Sequence, residues 1–188
     1  MRRRVWIIRG GEENQLVDRF VDDGVIGLEY PDIPDGRRVD QYDVTERLKA
    51  RGWTSPEKRA ELFTLFVHQV RPSHLVVMPD PARGDVLVGR VEGEYEYDSR
   101  VDVDDGAHRR RVTWLARHDR RDLPAGARDV LRQRTVIVEH ASADLLDHLE
   151  AVERGEVGRA PDDLHAPKPA AAPRTPRAPK APAPPKAP

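Results

Sequence analysis

The chain has 188 residues, of which 38% are hydrophobic and 35% charged, with a formal net charge of −1 and no cysteine. This predicts one soluble domain with a modest core, and the lack of cysteine excludes disulfides, thiolate zinc sites and cysteine nucleophiles. Neither a membrane span of ~18 apolar residues nor a secretory signal can be recognised, which predicts a cytoplasmic protein without membrane contact.

The first half of the chain alternates predicted strands and helices. Short apolar runs predict strands over residues 4–9 and 25–28, and apolar side chains at helical spacing predict a helix over 12–22 between them. Asp43 and Glu46 form a capping-box pattern at the start of a helix that ends near residue 50. A further helix opens at Pro56, and its buried face is predicted to carry Ala60, Phe63, Phe66, Val67 and Val70.

The second half is mostly predicted strand. Strands are expected over residues 74–78, 86–92, 110–116 and 135–139, with a short helix over 127–131 and a last helix from residue 142. Trp6 and Trp114 lie in central strands and are predicted to be core residues. The pattern favours an α/β (α+β) fold in which a small curved mixed sheet or barrel is flanked by helices.

The predicted domain covers residues 1–157, and residues 158–188 form a Pro/Ala/Lys-rich basic tail of disordered composition. Five basic residues and no acidic residue lie between 166 and 188, so the rest of the chain carries a net charge of −6. An acidic body does not favour non-specific coating of nucleic acid. The tail is therefore either a solubilising linker or an arm that contacts phosphates.

The sequence contains no convincing catalytic or metal-binding motif. It has no complete Gly-rich phosphate loop, and its seven histidines lack ligand-like spacing. Asp80, Asp85 and Glu92 could suggest a nuclease core, but the lysine that usually completes such a site is missing, and residues 79–85 are typical of a turn. We expect a protein that is not an enzyme and has neither a metal nor a cofactor.

Four segments, in order, resemble YTH domains. They are residues 5–14 (VWIIRGGEEN), 24–28 (GVIGL), 85–92 (DVLVGRVE), and 111–117 (RVTWLAR) with 122–124 (DLP) behind it. In the family these correspond to the first strand and turn, a short second strand, a strand with a central small residue and a Val-x-Trp strand. The similarity spans roughly residues 4–150. The fold class of this family also includes the bacterial EVE domains and other PUA-like modules, so the resemblance implies a fold of the PUA-like YTH/EVE type.

The resemblance implies a reader that flips a modified base into a pocket and binds its edge by hydrogen bonds. Asn14 matches the base-reading Asn/Asp of the family, and a helix cap is the alternative role for it. Arg9 and Gly10 match the basic and small residues at the pocket rim, although Arg9 could also be an exposed charge at a strand end.

This chain differs from YTH domains in the residues of the aromatic cage. The family has a tryptophan in the short second strand and aromatics before the Val-x-Trp strand, and this chain has neither. The residues expected to line the pocket instead are Gly27, Leu28, Tyr30, Tyr95, Tyr97 and His108. Tyr95 and Tyr97 share one face of a strand and could alternatively be surface residues. A cage without two tryptophans favours a smaller base such as 5-methylcytosine.

The densest basic run of the body is His108–Arg111. Alternation directs His108 and Arg110 to one side and Arg109 and Arg111 to the other, and Arg109, Arg110 and Arg111 are predicted to contact the nucleic-acid backbone. The alternative is a solvated charge run paired with Asp102–Asp105.

The favoured function is non-catalytic recognition of methylated DNA by a nucleoid-associated protein, with a nuclease or defence system as a further possible partner. The alternatives are a reader of N6-methyladenine in RNA, a specificity subunit of a modification-dependent restriction system, and a protein adaptor acting through the tail.

Overall fold

The computed structural model describes residues 3–101, 106–157 and 164. The strands in this part of the chain are β1 (Val5–Ile8), β2 (Val25–Leu28), β3 (Leu75–Asp80), β4 (Asp85–Val91), β5 (Glu96–Tyr97), β6 (His108–Asp119) and β7 (Ile137–His140). The helices are α1 (Val17–Asp22), α2 (Gln41–Ala50), α3 (Pro56–His68), α4 (Ala125–Val130) and α5 (Ala143–Glu153), with short 3₁₀ turns at Gly36–Arg38 and Arg120–Asp122.

The strands form one mixed sheet in the order β2-β6-β4-β3-β1-β7, with β5 paired to β6. β1 and β3 are parallel, and the other pairs are antiparallel. The long strand β6 joins two parts of the sheet, because its first four residues pair with β2 and its later residues pair with β4. A bulge at Val88/Gly89 interrupts the β4–β6 register, and a Cβ at Gly89 would lie 2.5 Å from Val112. The sheet is therefore curved, and the predicted α+β fold is confirmed.

Helices cover both faces of the sheet, which explains why β1 is apolar throughout and β3 is apolar up to its last residue, Asp80, rather than alternating. On one face Trp6, Met78 and Trp114 pack against α1, α2 and α3. On the other face the alternate residues of the same strands, such as Ile7 and Val77, pack with α4 and α5. Trp6 and Trp114 are both buried, as the sequence predicted.

Two helix starts differ from their predictions. Residues 12–16 form turns, and α1 begins only at Val17, because Gly11 and Asn14 both have positive φ angles, of 87° and 61°. The start of α2 is capped by Asp40 and Asp43 rather than by Asp43 and Glu46. The Asp40 carboxylate accepts from the Asp43 amide at 2.8 Å, so the N-cap of this helix lies three residues before the predicted one.

Leu164 lies within the segment predicted as a tail, yet it packs on the α1 side of the domain. Its carbonyl oxygen accepts hydrogen bonds from two nitrogens of the buried Arg117, at 3.2 and 2.6 Å. Arg117 in turn forms an ion pair of 2.6 Å with Asp80. The tail otherwise lies outside the described residues, and its predicted disorder stays a prediction.

No helix among the described residues has the length and apolar character that crossing a membrane requires. They also contain no group of three or more acidic or histidine side chains arranged to hold a metal ion.

Candidate functional site

A pocket of about 180 Å³ opens where three connections meet beside the end of β2. The β1–α1 loop supplies one wall, the residues at and after the end of β2 supply the second, and the α2–α3 connection supplies the third. We call this the Trp53 pocket, and its lining residues are Gly11, Glu12, Gln15, Gly27, Leu28, Glu29, Tyr30, Pro31, Trp53, Arg59 and Val136. Its volume lies below the roughly 300 Å³ typical of sites for drug-sized ligands, and it suits a single flat ring system.

Two aromatic side chains form the apolar part of the pocket. The rings of Tyr30 and Trp53 are parallel to within 2°, with centroids 6.1 Å apart. The Tyr30 hydroxyl donates a hydrogen bond of 3.0 Å to the Arg59 carbonyl, and burial raises the pKa of Tyr30 to about 12. The Arg59 guanidinium lies 4.6 Å from the Trp53 ring centroid, within cation–π range. Tyr30 is thus fixed by the protein, whereas Trp53 is half-buried.

Carboxylates and an arginine form the polar part of the same pocket. The Glu29 carboxylate accepts hydrogen bonds of 2.9 Å from the Glu12 amide and from the Gln15 side-chain amide, and these bonds join the β1–α1 loop to the end of β2. The Glu12 side chain forms an ion pair of 3.4 Å with Arg59. Two carboxylates, of Glu12 and Glu29, and one guanidinium group, of Arg59, therefore line the pocket.

A second hollow of about 370 Å³ lies on the other side of Glu12 and is lined by Arg9, Glu12, Glu13, Asn14 and Arg134. The side-chain oxygen of Asn14 is buried and has no hydrogen-bond partner in the described part of the chain. Such an acceptor costs about 1–3 kcal/mol when it stays unsatisfied. We call this the Asn14 hollow, and Asn14 does not cap α1, which has no side-chain cap bond.

Three arginines come together beside the Asn14 hollow. Arg9 donates to the backbone carbonyls of Leu131 and Gln133. Its pKa is lowered by burial and by repulsion from the nearby guanidinium groups of Arg120 and Arg134. We call these three like charges the positive patch, and the hollow beside them also contains the carboxylates of Glu12 and Glu13. The patch lies next to the Trp53 pocket, because the pocket and the hollow share Glu12.

Tyr95 and His108 were predicted to bind the base, and the structure corrects this because it buries both side chains. The Tyr95 hydroxyl accepts from the Gly36 amide at 2.8 Å and lies 2.7 Å from His108 Nδ1. His108 Nε2 lies 3.3 Å from the Tyr30 carbonyl. Burial lowers the pKa of His108 to about 4, so its neutral ring bridges Tyr95 and Tyr30. His108 thus supports the backbone of a pocket residue from behind.

Arg110 is also corrected, because its side chain is only 1% exposed. Its guanidinium donates to the carbonyls of Phe66, Val67 and Gly93 and thereby caps the end of α3. Burial lowers its pKa to about 10. A phosphate cannot reach it in this arrangement. We refer to Tyr95, His108 and Arg110 together as the buried cluster.

The other predicted backbone contacts lie at the outer side of β6. Arg109 is largely buried and contacts the Gly106 carbonyl at 2.7 Å and Asp23 at 3.6 Å. Arg111 is exposed and forms an ion pair of 3.1 Å with Glu96. Their predicted acidic partner, Asp102–Asp105, lies outside the described residues. Whether Arg109 and Arg111 contact phosphates stays a prediction.

The remaining predicted residues divide between neighbouring places. Gly27, Leu28 and Tyr30 line the Trp53 pocket, and Arg9 and Asn14 line the Asn14 hollow. Tyr97 contacts the His108 ring at a centroid distance of 5.1 Å and faces a separate shallow hollow, and Gly10 packs against Val17, where a Cβ would lie 2.8 Å from its side chain.

Sequence reasoning missed Trp53, Arg59, Glu12, Glu29 and Arg134. The signal available for Trp53 was a large aromatic residue directly after Gly52, in a short connection between two helices, where no core face requires it. Nothing in the local pattern linked it to Tyr30, which is 23 positions away in the chain.

Comparisons with known proteins identify a family and similar solved structures. The crystal structure of the YTH domain of Zygosaccharomyces rouxii MRB1 protein in complex with N6-methyladenosine RNA matches with a TM-score of 0.45 and 13% identity, over 81% of this chain and 85% of that chain. No curated protein matches the sequence. The family described as domain of unknown function DUF8426 matches residues 6–138. Since that match covers more than half of the sequence, the chain belongs to the DUF8426 family.

Proposed function

We propose that this protein is a non-catalytic reader of modified nucleic acid that holds one flipped-out base in the Trp53 pocket. The observation that carries the proposal is the pocket itself: it is open, it is sized for one ring system, and aromatic and hydrogen-bonding groups meet in it. Stacking on aromatic side chains contributes about 1–3 kcal/mol per base, which offsets much of the few kcal/mol that flipping costs.

The positive patch of Arg9, Arg120 and Arg134 supports the same proposal. A flipped nucleotide stays attached to its strand, so a reader needs phosphate contacts close to the base pocket. The acidic character of the body makes such a local patch more informative than it is on a basic protein. Asn14 lines the same hollow, and its buried side-chain oxygen has no hydrogen-bond partner among the described residues.

For the base we propose 5-methylcytosine in DNA, and for the location the cytoplasm, in association with the nucleoid. The pocket volume favours a pyrimidine, and its aromatic and aliphatic walls offer an apolar surface to a methyl group. A nuclease or another defence protein would then act on the site that this chain marks, since the proposed role of the chain is recognition alone.

A binding panel tests this proposal. Matched oligonucleotides would carry 5-methylcytosine, cytosine, N6-methyladenine or adenine, each as duplex DNA, single-stranded DNA and RNA, and affinity would be measured at one fixed salt concentration. We expect the 5-methylcytosine DNA to bind more tightly than its unmodified counterpart. Preference for N6-methyladenine in RNA would instead support the alternative reader, and equal affinity for modified and unmodified strands would refute a reader of either kind.

A further inference from the structure

We propose that residues 166–188 bind the phosphates of the nucleic-acid strand whose base lies in the Trp53 pocket, and that Leu164 directs this segment towards them. We call residues 166–188 the basic segment. The inference rests on the proposed function, because it adds a second contact to the same bound strand. It concerns affinity and salt dependence, whereas the proposed function concerns the choice of base, and the two can therefore fail separately.

The point at which the basic segment leaves the domain is set by Leu164. This residue is only 9% exposed and packs with the core on the α1 side of the sheet. Its carbonyl oxygen accepts from two nitrogens of Arg117, at 3.2 and 2.6 Å, and Arg117 is itself buried and paired with Asp80 at 2.6 Å. Because Leu164 lies two positions before the basic segment, these contacts hold the start of the segment at one place on the domain.

Further ion pairs connect that place to the start of α1. Asp80 also pairs with Arg83 at 2.9 Å, and Arg83 pairs with Asp18 at 2.7 Å. Asp18 is the second residue of α1, and it follows Asn14 by four positions. Leu164 is therefore linked through side chains to the helix that begins directly after the loop of the Asn14 hollow.

The strand directions place the positive patch at the same end of the sheet. β1 and β3 are parallel, so Arg9, directly after β1, lies at the end where Asp80 closes β3. β6 finishes at this end too, because its last residue pairs with the first residue of β4, next to Asp80, and Arg120 follows. β7 begins opposite the end of β1, and Arg134 lies three residues before it. Leu164 and the positive patch therefore share one end of the sheet.

The charge of the basic segment makes phosphates its expected partner. It contains no acidic residue, while the rest of the chain carries a net charge of −6 and thus repels a polyanion. An extended chain spans at most about 3.3–3.6 Å per residue, so the first cation of the segment lies within roughly 14 Å of Leu164. The later cations reach further along a bound strand. The five basic residues are Lys168, Arg174, Arg177, Lys180 and Lys186.

The main test replaces all five basic residues of the segment by glutamine in the full chain. The probe is a single-stranded DNA of about 20 nucleotides with one central 5-methylcytosine, and its affinity is measured over a range of salt concentrations. Each phosphate contact to a single strand contributes about 0.7 to the slope of log affinity against log salt, so we expect the slope to decrease by about 2–3.5. At low salt the affinity should fall about ten-fold or more.

A matched control makes five glutamine substitutions in the same segment without changing its charge. Its binding should equal that of the unaltered protein, and a loss as large as in the first variant would overturn the assignment to charge. The substitutions are Ala170→Gln, Ala171→Gln, Ala172→Gln, Ala178→Gln and Ala181→Gln. Both variants keep Leu164, so their melting temperatures should match that of the unaltered protein.

A third variant tests whether the position of Leu164 matters. A flexible Gly/Ser stretch of about 20 residues between positions 165 and 166 keeps every charge but lowers the effective concentration of the basic segment near the patch. We expect an affinity between those of the unaltered protein and the five-glutamine variant, about two- to ten-fold below the former. An unchanged affinity would show that Leu164 does not direct the segment.

The outcomes separate this inference from the proposed function. Phosphate contacts carry no information about the base, so the preference for 5-methylcytosine over cytosine should be the same with and without the five charges. A preserved base preference with an unchanged salt slope would overturn this inference alone. So would a higher affinity in the five-glutamine variant, because it would show that the basic segment pairs with acidic residues of the domain. Equal affinity of the unaltered protein for both bases would instead overturn the proposed function.

Discussion

The Trp53 pocket and the buried cluster contain similar residues in opposite situations. Both bring aromatic rings next to an arginine. In the buried cluster the polar groups bind one another or backbone carbonyls, as Arg110 does at the end of α3. In the pocket the half-buried Trp53 and the exposed Glu12 border open space, although Tyr30 behind them is buried. Residue type therefore does not distinguish a binding group from a structural one, and the available space and the hydrogen-bond partners do.

The largest effect on stability is expected at Arg110. Arg110→Ala removes the donors that three carbonyls use and leaves a cavity, and we expect a loss of about 3 kcal/mol or more in the free energy of unfolding. Urea unfolding measures it. Arg111→Ala is the control, because that side chain is 70% exposed, and its effect should stay within about 0.5 kcal/mol. A loss of stability at Arg110 as small as that at Arg111 would show that the buried cluster does not stabilise the fold.

The next largest effect is the pH dependence that His108 causes. Its pKa in the folded protein is about 4, below the ordinary value of 6.5, so the unfolded chain binds more protons between these two pH values. The stabilisation is therefore present above pH 6.5 and is lost as the pH falls towards 4, by up to about 3 kcal/mol.

Unfolding by urea across that pH range measures this loss. Burial also lowers the pKa values of His74 and His140, which contribute in the same direction. The part that belongs to His108 is the part that disappears in His108→Gln. An identical pH dependence in that variant would contradict the assignment.

A smaller effect, on binding rather than on stability, is expected at Trp53. Trp53→Ala removes a stacking surface, and we expect the affinity for the preferred oligonucleotide to fall by about 1–3 kcal/mol. Tyr42→Ala is the control, because Tyr42 is an aromatic residue that is 71% exposed on α2 and does not line the pocket. Loss of affinity in both variants, or in neither, would contradict the proposal that the Trp53 pocket binds the base.

The smallest effect is expected at Arg134, in the salt dependence of binding. Arg134→Gln should reduce the slope of log affinity against log salt by about 1, as one lost phosphate contact does. Arg111→Gln makes the same change in charge on β6. Comparing the salt dependence of the two variants shows which of the two arginines contacts the phosphates of the bound nucleic acid. A change in slope at Arg111 alone would favour the site predicted from sequence over the patch of Arg9, Arg120 and Arg134.

The elements could be predicted from sequence because local patterns determine them. The apolar run at β1 and the helical spacing in α3 gave the right structures at nearly the right positions. Alternation along β6 also placed His108 and Arg110 on one face. It could not show that this face is buried, because helices and loops distant in sequence cover it, including the Phe66 carbonyl that Arg110 binds.

The site was predicted only in part, because its walls come from connections that the sheet topology brings together. Tyr30 was found from its position next to β2. Trp53 and Arg134 carry no motif, and they reach the pocket and its neighbouring hollow from the α2–α3 connection and from the segment before β7. Which connections meet at the pocket depends on the strand order of the sheet, and a single sequence does not specify that order.

The contact between Arg117 and the Leu164 carbonyl has a practical consequence for shortened versions of the protein. A chain ended at residue 157 loses the acceptor of two Arg117 nitrogens, although the ion pair with Asp80 remains. Water must then hydrate a guanidinium that is only 1% exposed when Leu164 is present, and the apolar contact of the leucine is lost as well. Comparing melting temperatures of chains ended after 157 and after 165 would show how far the domain extends beyond its last helix.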